Sequence, residues 1–398
     1  MENVYVKLCS LICSCILVAG CSNTLAPKPE TAVQPAQPVT ETMTEAATEI
    51  TTTDEIQSQL DSMSLDEKIG QMLMPAYRYD NGGRVTELDD AIKNEISEYK
   101  VGNIILFDRN LSTVSGSKAL ITDIKQLITQ NCGIEPFISI DEEGGKVSRL
   151  GKSGIIADYY VPSARSMANN GTVAENYTKI ALNLKALGFN MDFAPVADVD
   201  TNPANPVIGD RAFSSDPEDA AKNMLTAAKT LEDNGIIPVI KHFPGHGDTQ
   251  TDSHLGMAVV PHDMARLESV ELLPYKQAVE NDIPVVMVGH LTTPNISNNG
   301  LPASLNPDII DGLLREKLGF DGVVITDALD MGAIANLYGS EEAAVMAVKA
   351  GADILLMPPD TPAAFNAVKN AVENGEISRE NIDDSVYRII KLKWRQQQ

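Results

Sequence analysis

Long basic runs and paired cysteines are both missing from the body of this sequence. Lys and Arg number 31 against 55 Asp and Glu, which gives a formal net charge of −24. Binding to nucleic-acid phosphates requires a basic surface, so no nucleic-acid partner is expected. Four of the five cysteines lie in the first 21 residues, and Cys132 is the remaining one. A single cysteine cannot form an internal disulfide, so a large apolar core must stabilise the fold.

The apolar run near the amino terminus is too short to span a bilayer. Lys7 precedes an apolar stretch over residues 8–17, and Val18-Ala19-Gly20-Cys21 follows it. This pattern resembles a bacterial lipoprotein signal, in which the cysteine is lipidated after cleavage. The alternative is an ordinary secretory signal with a chance cysteine. We predict a signal peptide over residues 1–20 and a lipid anchor on Cys21 that holds the protein to a membrane outside the cytoplasm.

Large apolar residues are scarce in the segment that follows. Residues 21–55 are rich in Thr, Pro and Glu, as in Thr40-Glu41-Thr42. Such a composition cannot bury enough apolar surface to fold, so it predicts a disordered tether. The remaining residues, 56–398, are expected to form one folded domain.

Short apolar runs alternate with helical patterns throughout that domain. The predicted strands cover 69–74, 102–107, 136–140, 190–195, 238–242, 284–288, 322–326 and 353–357. The predicted helices include 116–130, 174–187, 217–234, 264–281, 307–318, 341–350 and 362–373. This alternation predicts an α/β fold, as a single (β/α)8 barrel of the TIM type. A doubly wound open sheet is the alternative, but no Gly-rich dinucleotide fingerprint follows a strand.

Polar side chains cluster at the carboxyl ends of the predicted strands. In a parallel barrel these ends converge on one face, where active sites form. The residues concerned are Asp141, Lys241, His242, His290 and Asp327, with Arg211 in the loop after the fourth strand.

One fourteen-residue stretch carries three of the five histidines. It begins at Lys241, directly after a β-branched run, and ends at His254. Pro244, Gly245 and Gly247 exclude a helix, so its polar groups lie on a loop. An Asp-x-His pair here and the carboxylate of Asp327 at another strand end are the groups that acid–base and nucleophilic catalysis need.

These segments together resemble glycoside hydrolase family 3. The matching segments are Lys241-His242-Phe243-Pro244-Gly245-His246-Gly247, Asp252-Ser253-His254, Ile140-Asp141-Glu142-Glu143-Gly144-Gly145, Gly209-Asp210-Arg211-Ala212-Phe213 and Ile325-Thr326-Asp327. The Asp-Ser-His element resembles in particular the β-N-acetylglucosaminidase branch of that family.

The resemblance implies a retaining exo-glycosidase that acts on peptidoglycan fragments with terminal N-acetylglucosamine and uses no cofactor. It assigns the nucleophile to Asp327, the acid/base to His254 and the dyad partner to Asp252. It implies that the hydroxyl groups of the terminal sugar are bound by Asp141, Arg149, Arg211, Lys241 and His242.

The chemistry of the residues agrees with these roles. Retaining glycosidases generally use two carboxyl groups. An imidazole can replace one of them, because its pKa lies near neutrality and a neighbouring aspartate can orient it. The structural alternatives are a loop cap for Asp252, a loop-bracing role for His254 and a helix N-cap for Asp327.

Other functions remain open at this stage. His242, His246 and His254 with Asp248 and Asp252 are ligand types for zinc, but their spacing is unlike that of a helical His pair, and no metal is expected. Trp394 is the only tryptophan, so aromatic platforms for long polysaccharides are scarce and a small polar pocket is favoured. A β-glucosidase of the same family and a catalytically silent sugar-binding lipoprotein are the alternatives.

Overall fold

The computed structural model describes residues 54–80, 83–251 and 256–396. Several predictions fall outside these ranges: the signal peptide with Cys21, nearly all of the tether, and the pair Asp252 and His254. In the described ranges, no helix has both the length and the hydropathy needed to cross a bilayer.

Parallel strands form the centre of the fold. They are β1 (Leu73–Met74), β2 (Asn103–Ile105), β3 (Phe137–Ile140), β4 (Met191–Asp192), β5 (Ile237–Pro238), β6 (Ile240–Phe243), β7 (Val285–Val288), β8 (Val323–Thr326) and β9 (Leu355–Leu356). One sheet has the order β2-β3-β4-β5, a second has the order β6-β7-β8, and β1 pairs with β9. Every one of these pairings is parallel.

Single hydrogen bonds and β-bridges connect these sheets to one another. Val196 pairs with Lys241, which connects the chain after β4 to β6. Ile325 pairs with Ile354, which connects β8 to the residue before β9. Ile105 donates its N–H to the carbonyl oxygen of Pro75 over 3.2 Å, which connects β2 to the end of β1. Strand β1 is thus bonded to both β2 and β9, whereas β5 is bonded to β4 and β6 is connected to β7 and to the chain after β4.

Helices separate most of the strands. They are Leu65–Gln71, Asp90–Glu98, Val114–Cys132, Arg149–Ser153, Ala164–Asn170, Val173–Leu187, Pro217–Asp233, Met264–Ser269, Leu273–Glu280, Gly332–Ala335, Ser340–Lys349, Thr361–Glu373 and Arg379–Arg395. Residues 54–62 are also helical, and Asp308–Lys317 forms a wider helix with i→i+5 bonding. Strands alternating with helices confirm the predicted α/β class.

Three short strand pairs lie in the loops. Tyr79–Asp80 pairs antiparallel with Gly83–Arg84, and Glu142–Gly144 pairs antiparallel with Val147–Ser148. Ala258–Val259 pairs parallel with Leu291–Thr292.

Burial follows the apolar pattern of the sequence. All four residues of β7 and of β8 are buried, as expected for strands covered on both faces. The helix Pro217–Asp233 places Met224, Ala228 and Leu231 in the core along one stripe. Its first turn is fixed because the Asp216 side chain accepts the N–H of Asp219.

Three predicted elements differ from the observed ones. The predicted strand over 238–242 is two strands, Ile237–Pro238 and Ile240–Phe243. The predicted strand over 69–74 is helical up to Gln71, and only Leu73–Met74 pairs as a strand. The predicted helix over 264–281 is two helices, Met264–Ser269 and Leu273–Glu280. Pro274 explains the interruption, because proline lacks an N–H and fits only in the first turn of a helix.

Candidate active site

Strand β6 carries one lysine that lies between two carboxylates from the segment after β3. Lys241 Nζ lies 2.9 Å from Asp141 Oδ1 and 2.7 Å from Glu143 Oε1. Lys241 and Glu143 are each only 2% exposed. Charges at this depth are tolerated when they are paired, and here each one is.

Two arginines complete this cluster. Arg211 donates from Nε and Nη2 to the two oxygens of Glu143, both over 2.8 Å. Arg149 donates from Nη2 to Asp141 Oδ2 over 3.0 Å. The bidentate contact of Arg211 fixes the planes of its guanidinium and of the Glu143 carboxylate. We call these five residues, Asp141, Glu143, Arg149, Arg211 and Lys241, the charged cluster.

The cluster is fully ionised near neutrality. Burial alone would raise the pKa of Asp141, but Lys241 and Arg149 outweigh burial and hold it far below its usual range. Burial alone would also raise the pKa of Glu143, but Arg211 and Lys241 outweigh burial and lower this pKa to about 2. Burial disfavours the charged form of Lys241, but Asp141 and Glu143 act more strongly and raise its pKa. Three cations therefore face two carboxylates, which leaves donors for the oxygens of a ligand.

A tight hairpin positions the carboxylates. Successive side chains of an extended segment point to opposite sides, so Asp141 and Glu143 share one side and Glu142 lies on the other. Gly144 has a φ of 82°, and a Cβ there would lie 2.4 Å from the carbonyl oxygen of Pro162. Only glycine fits this turn, which returns the chain to Arg149.

His242 is held by a buried aspartate. His242 Nδ1 lies 2.7 Å from Asp198 Oδ2, and Asp198 is 1% exposed. Asp198 Oδ1 also accepts the backbone N–H of His242 and of His246. Because a carboxylate only accepts, His242 donates from Nδ1 to Asp198, and this bond fixes the orientation of the ring.

Asp327 directly follows β8. Its N–H donates to the carbonyl oxygen of Val288 on the neighbouring strand, and its Oδ1 accepts the N–H of Ala328 over 2.8 Å. Its carboxylate acts electrostatically on His246, where burial and His242 lower the pKa and Asp198 and Asp327 partly offset them. Asp327 is thus oriented by its own backbone and lies near the loop that follows β6.

The other histidines of the described residues have structural partners. His290 is fully buried, with Nδ1 2.7 Å from Ser304 Oγ and Nε2 donating to the carbonyl oxygen of Ala328. His246 Nδ1 lies 2.6 Å from Thr249 Oγ1, and this contact braces the loop. His262 Nε2 lies 2.5 Å from Asp248 Oδ2.

One group in the described part of the chain has the ligand types for a metal ion. Asp248, His262 and Glu271 place ligand atoms within 4.8 Å of one another. The guanidinium of Arg266 lies 2.9 Å from Glu271 and 4.0 Å from Asp248. Arg266 already supplies the positive charge that a cation would bring, so these residues fit a metal poorly.

The structure therefore brings together Asp141, Arg149, Arg211 and Lys241, while His242 adjoins Lys241 in sequence and Asp327 lies near the same loop. Asp252 and His254 lie outside the described residues, and their roles stay predictions. Sequence reasoning missed Glu143 and Asp198 as functional residues. The alternation of side chains in Asp141-Glu142-Glu143 was a signal for the first of them. Asp198 follows the fourth strand, and its position in the sequence did not indicate that it would bond to His242.

Comparison with known proteins places this site in a family. Residues 64–392 match the family described as glycosyl hydrolase family 3 N terminal domain. A β-hexosaminidase A of Pseudoalteromonas piscicida is 31% identical over 374 residues, covering 83% of this chain and 61% of that protein. The β-hexosaminidase LpqI of Mycobacterium tuberculosis is 36% identical over 315 residues, covering 75% of this chain and 77% of that protein.

A solved structure is similar in fold. It is that of a glycoside hydrolase family 3 β-N-acetylglucosaminidase from Paenibacillus sp., with a TM-score of 0.80 and 39% identity. The alignment covers 84% of this chain and 63% of that protein. The chain thus spans about three fifths of two of these relatives and three quarters of the third.

Proposed function

The chain belongs to glycosyl hydrolase family 3, and from this membership we propose that it is a retaining exo-β-N-acetylglucosaminidase. It would remove terminal β-linked N-acetylglucosamine from short oligosaccharides. The names of the relatives support this substrate, as does the Asp252-Ser253-His254 element.

The charged cluster is the observation that carries the proposal. Its cations can donate to sugar oxygens, and Asp141 can accept from sugar hydroxyl groups. The cluster is small and largely buried, so it suits one terminal sugar rather than an extended chain.

We propose that the reaction proceeds as two displacements. Asp327 attacks the anomeric carbon, and the leaving oxygen takes a proton from His254. A water molecule then loses a proton to His254 and attacks the same carbon, which releases Asp327. Two inversions give net retention of configuration.

Asp252 would orient His254 and stabilise its protonated form. Near neutral pH an imidazole can act first as acid and then as base, as the two steps require.

We further propose that the strands close into a (β/α)8 barrel. The cyclic order of hydrogen bonds from β1 to β9 and back to β1 supports this closure. If β5 and β6 are counted as one strand interrupted at Val239, the nine strands give the eight that the barrel requires.

A comparison of two substrates tests the activity. We expect the protein to hydrolyse an aryl β-N-acetylglucosaminide at least tenfold more efficiently, in kcat/KM, than the matching aryl β-glucoside. Asp327→Ala should abolish both activities. Preference for the glucoside would instead favour a β-glucosidase. Binding of N-acetylglucosamine without any hydrolysis would favour a silent sugar-binding protein.

We propose a lipid anchor and cell-wall substrates as well. The Val18-Ala19-Gly20-Cys21 pattern supports acylation of Cys21 and a location outside the cytoplasm, where peptidoglycan fragments occur. Cys21→Ser should move the protein from the membrane fraction to the soluble fraction with its activity intact. Unchanged membrane association would contradict the anchor.

A further inference from the structure

Glu142 lies between two members of the charged cluster but is directed away from them. Its neighbours Asp141 and Glu143 bind Lys241, whereas the Glu142 side chain contacts the segment that follows the hairpin. Glu142 is 0% exposed. A carboxyl group buried so completely needs hydrogen-bond partners, and these partners indicate what it does.

Its partners belong to the segment that carries Arg149. Glu142 Oε2 accepts the N–H of Leu150 over 2.8 Å, and Oε1 accepts the hydroxyl of Tyr159 over 3.4 Å. Leu150 is the second residue of the helix Arg149–Ser153, so its N–H has no acceptor within that helix. The contact therefore fixes the turn from which Arg149 reaches Asp141.

The backbone of Glu142 ties the same hairpin to the sheet. Its N–H donates to Asp192 Oδ1 on β4 over 2.9 Å. Asp192 is also fully buried. One residue thus connects β4, the hairpin and the helix that begins at Arg149.

We propose that Glu142 is a positioning residue of the sugar site, which acts by holding Arg149 in place against Asp141. This inference rests on the proposed function for its substrate, but the contacts themselves do not depend on it. Glu142 itself is directed away from the sugar site and would act only through Arg149.

Hydrogen bonding rather than charge is what this role requires. Burial raises the pKa of Glu142 to about 7, although Ser148, Leu150 and Tyr159 lower it through hydrogen bonds. A neutral carboxyl group, or an amide of the same shape, still offers an oxygen to Leu150. Glutamine should therefore replace Glu142, and alanine should not.

Kinetics of three variants test this role. With the aryl β-N-acetylglucosaminide, Glu142→Ala should raise KM about tenfold and change kcat less than about threefold, because an interaction with the bound sugar is weakened. Glu142→Gln should keep KM within about threefold of the wild-type value. Asp353→Asn is the control. Asp353 is as fully buried as Glu142, but it lies just before β9, where it is paired with Arg315 and Arg388. The substitution should lower stability and leave KM unchanged.

A double-mutant cycle tests whether Arg149 transmits the effect. In an Arg149→Ala background, Glu142→Ala should change KM by less than about twofold, since the positioned group is already gone. Additive effects, or a Glu142→Gln variant as impaired as Glu142→Ala, would overturn the proposal.

Binding of N-acetylglucosamine by calorimetry separates this proposal from the proposed function. Folding of each variant is checked first by circular dichroism. If the wild type binds the sugar but does not hydrolyse the glycoside, the proposed function fails and the Glu142 proposal is judged from Kd alone. Glu142→Ala should then weaken binding about tenfold, and an unchanged Kd would overturn the proposal.

Discussion

Two buried lysines near opposite ends of the strands show how the neighbouring groups determine the pKa of a side chain. Lys241 lies within β6, between Asp141 and Glu143, which follow the carboxyl end of β3. Lys393 lies near the amino ends of β1 and β2, where it donates to Gln71 Oε1 over 2.7 Å and to the carbonyl oxygen of Gly102 over 3.0 Å. Both residues are 2% exposed.

Their pKa values shift in opposite directions. Burial disfavours the charged form of both lysines. Asp141 and Glu143 outweigh burial at Lys241 and raise its pKa. Lys393 contacts neutral oxygens, so burial dominates and lowers its pKa from 10.5 to about 7. The same residue type at the same depth is thus a permanent cation in the proposed sugar site and a titrating group at the opposite end.

The largest effect is expected from Lys241→Met. This change leaves Asp141 and Glu143 without the cation between them, and breaking a buried ion pair costs about 3–5 kcal/mol. The free energy of unfolding in urea should fall by that amount, and kcat/KM should fall more than about a hundredfold.

Lys222→Met is the matched control, because Lys222 is exposed on the helix Pro217–Asp233. It should change neither quantity. A Lys241→Met variant as stable as the wild type would mean that Arg149 and Arg211 alone suffice to pair the two carboxylates, and that Lys241 adds nothing to stability.

Lys393→Met should differ from the wild type in how stability depends on pH. Between about pH 7 and 10.5 the unfolded chain binds the Lys393 proton more tightly than the folded chain does. Wild-type stability should therefore rise with pH across this window, relative to the variant. Urea unfolding at several pH values measures the difference.

Lys241 should give the opposite sign. Its folded pKa is raised, so its stabilising contribution is complete below the ordinary lysine pKa and is lost as pH rises through the folded value. Lys391→Met removes an exposed lysine from the same helix as Lys393 and is the control. If the difference in free energy of unfolding between wild type and Lys393→Met did not change with pH, Lys393 would remain charged in the folded protein.

The sequence predicted which residues lie near the site better than it predicted which side chains bond to one another. Strand ends were enough to place Asp141, Lys241 and Asp327 at one edge, because parallel strands share their direction. The pairing of Arg211 with Glu143 depends on the path of a long loop, which local patterns do not determine. The same is true of Lys393, which contacts Gln71 across 322 positions of the chain.

Boundaries were predicted less well than the elements themselves. The first strand was placed over helical residues, since Ile69 and Met72 are apolar in either structure. The fold class depended on alternation over the whole chain, so single errors at boundaries did not change it.

A smaller effect is expected from Arg211→Lys. The ammonium keeps the charge beside Glu143 but replaces two hydrogen bonds with one. We expect kcat/KM to fall about tenfold, which corresponds to about 1.4 kcal/mol, the size of one hydrogen bond to a charged group. An unchanged kcat/KM would mean that the bidentate geometry is unimportant for the sugar.

The smallest effect is expected from chelation. Arg266 occupies the position between Glu271 and Asp248 where a cation would be held. Prolonged treatment with a chelator should therefore leave kcat/KM unchanged. Loss of activity that zinc restores would favour a metallohydrolase instead.

Trapping of the covalent intermediate tests the central claim most directly. In His254→Ala, an aryl β-N-acetylglucosaminide should still transfer its sugar, because an activated leaving group needs little protonation, whereas hydrolysis of the intermediate lacks its base. Mass spectrometry should then find one N-acetylglucosamine on the peptide that contains Asp327, and azide should speed its release. A sugar on another residue, or full activity of His254→Ala on natural disaccharides, would contradict the assignment of Asp327 and His254.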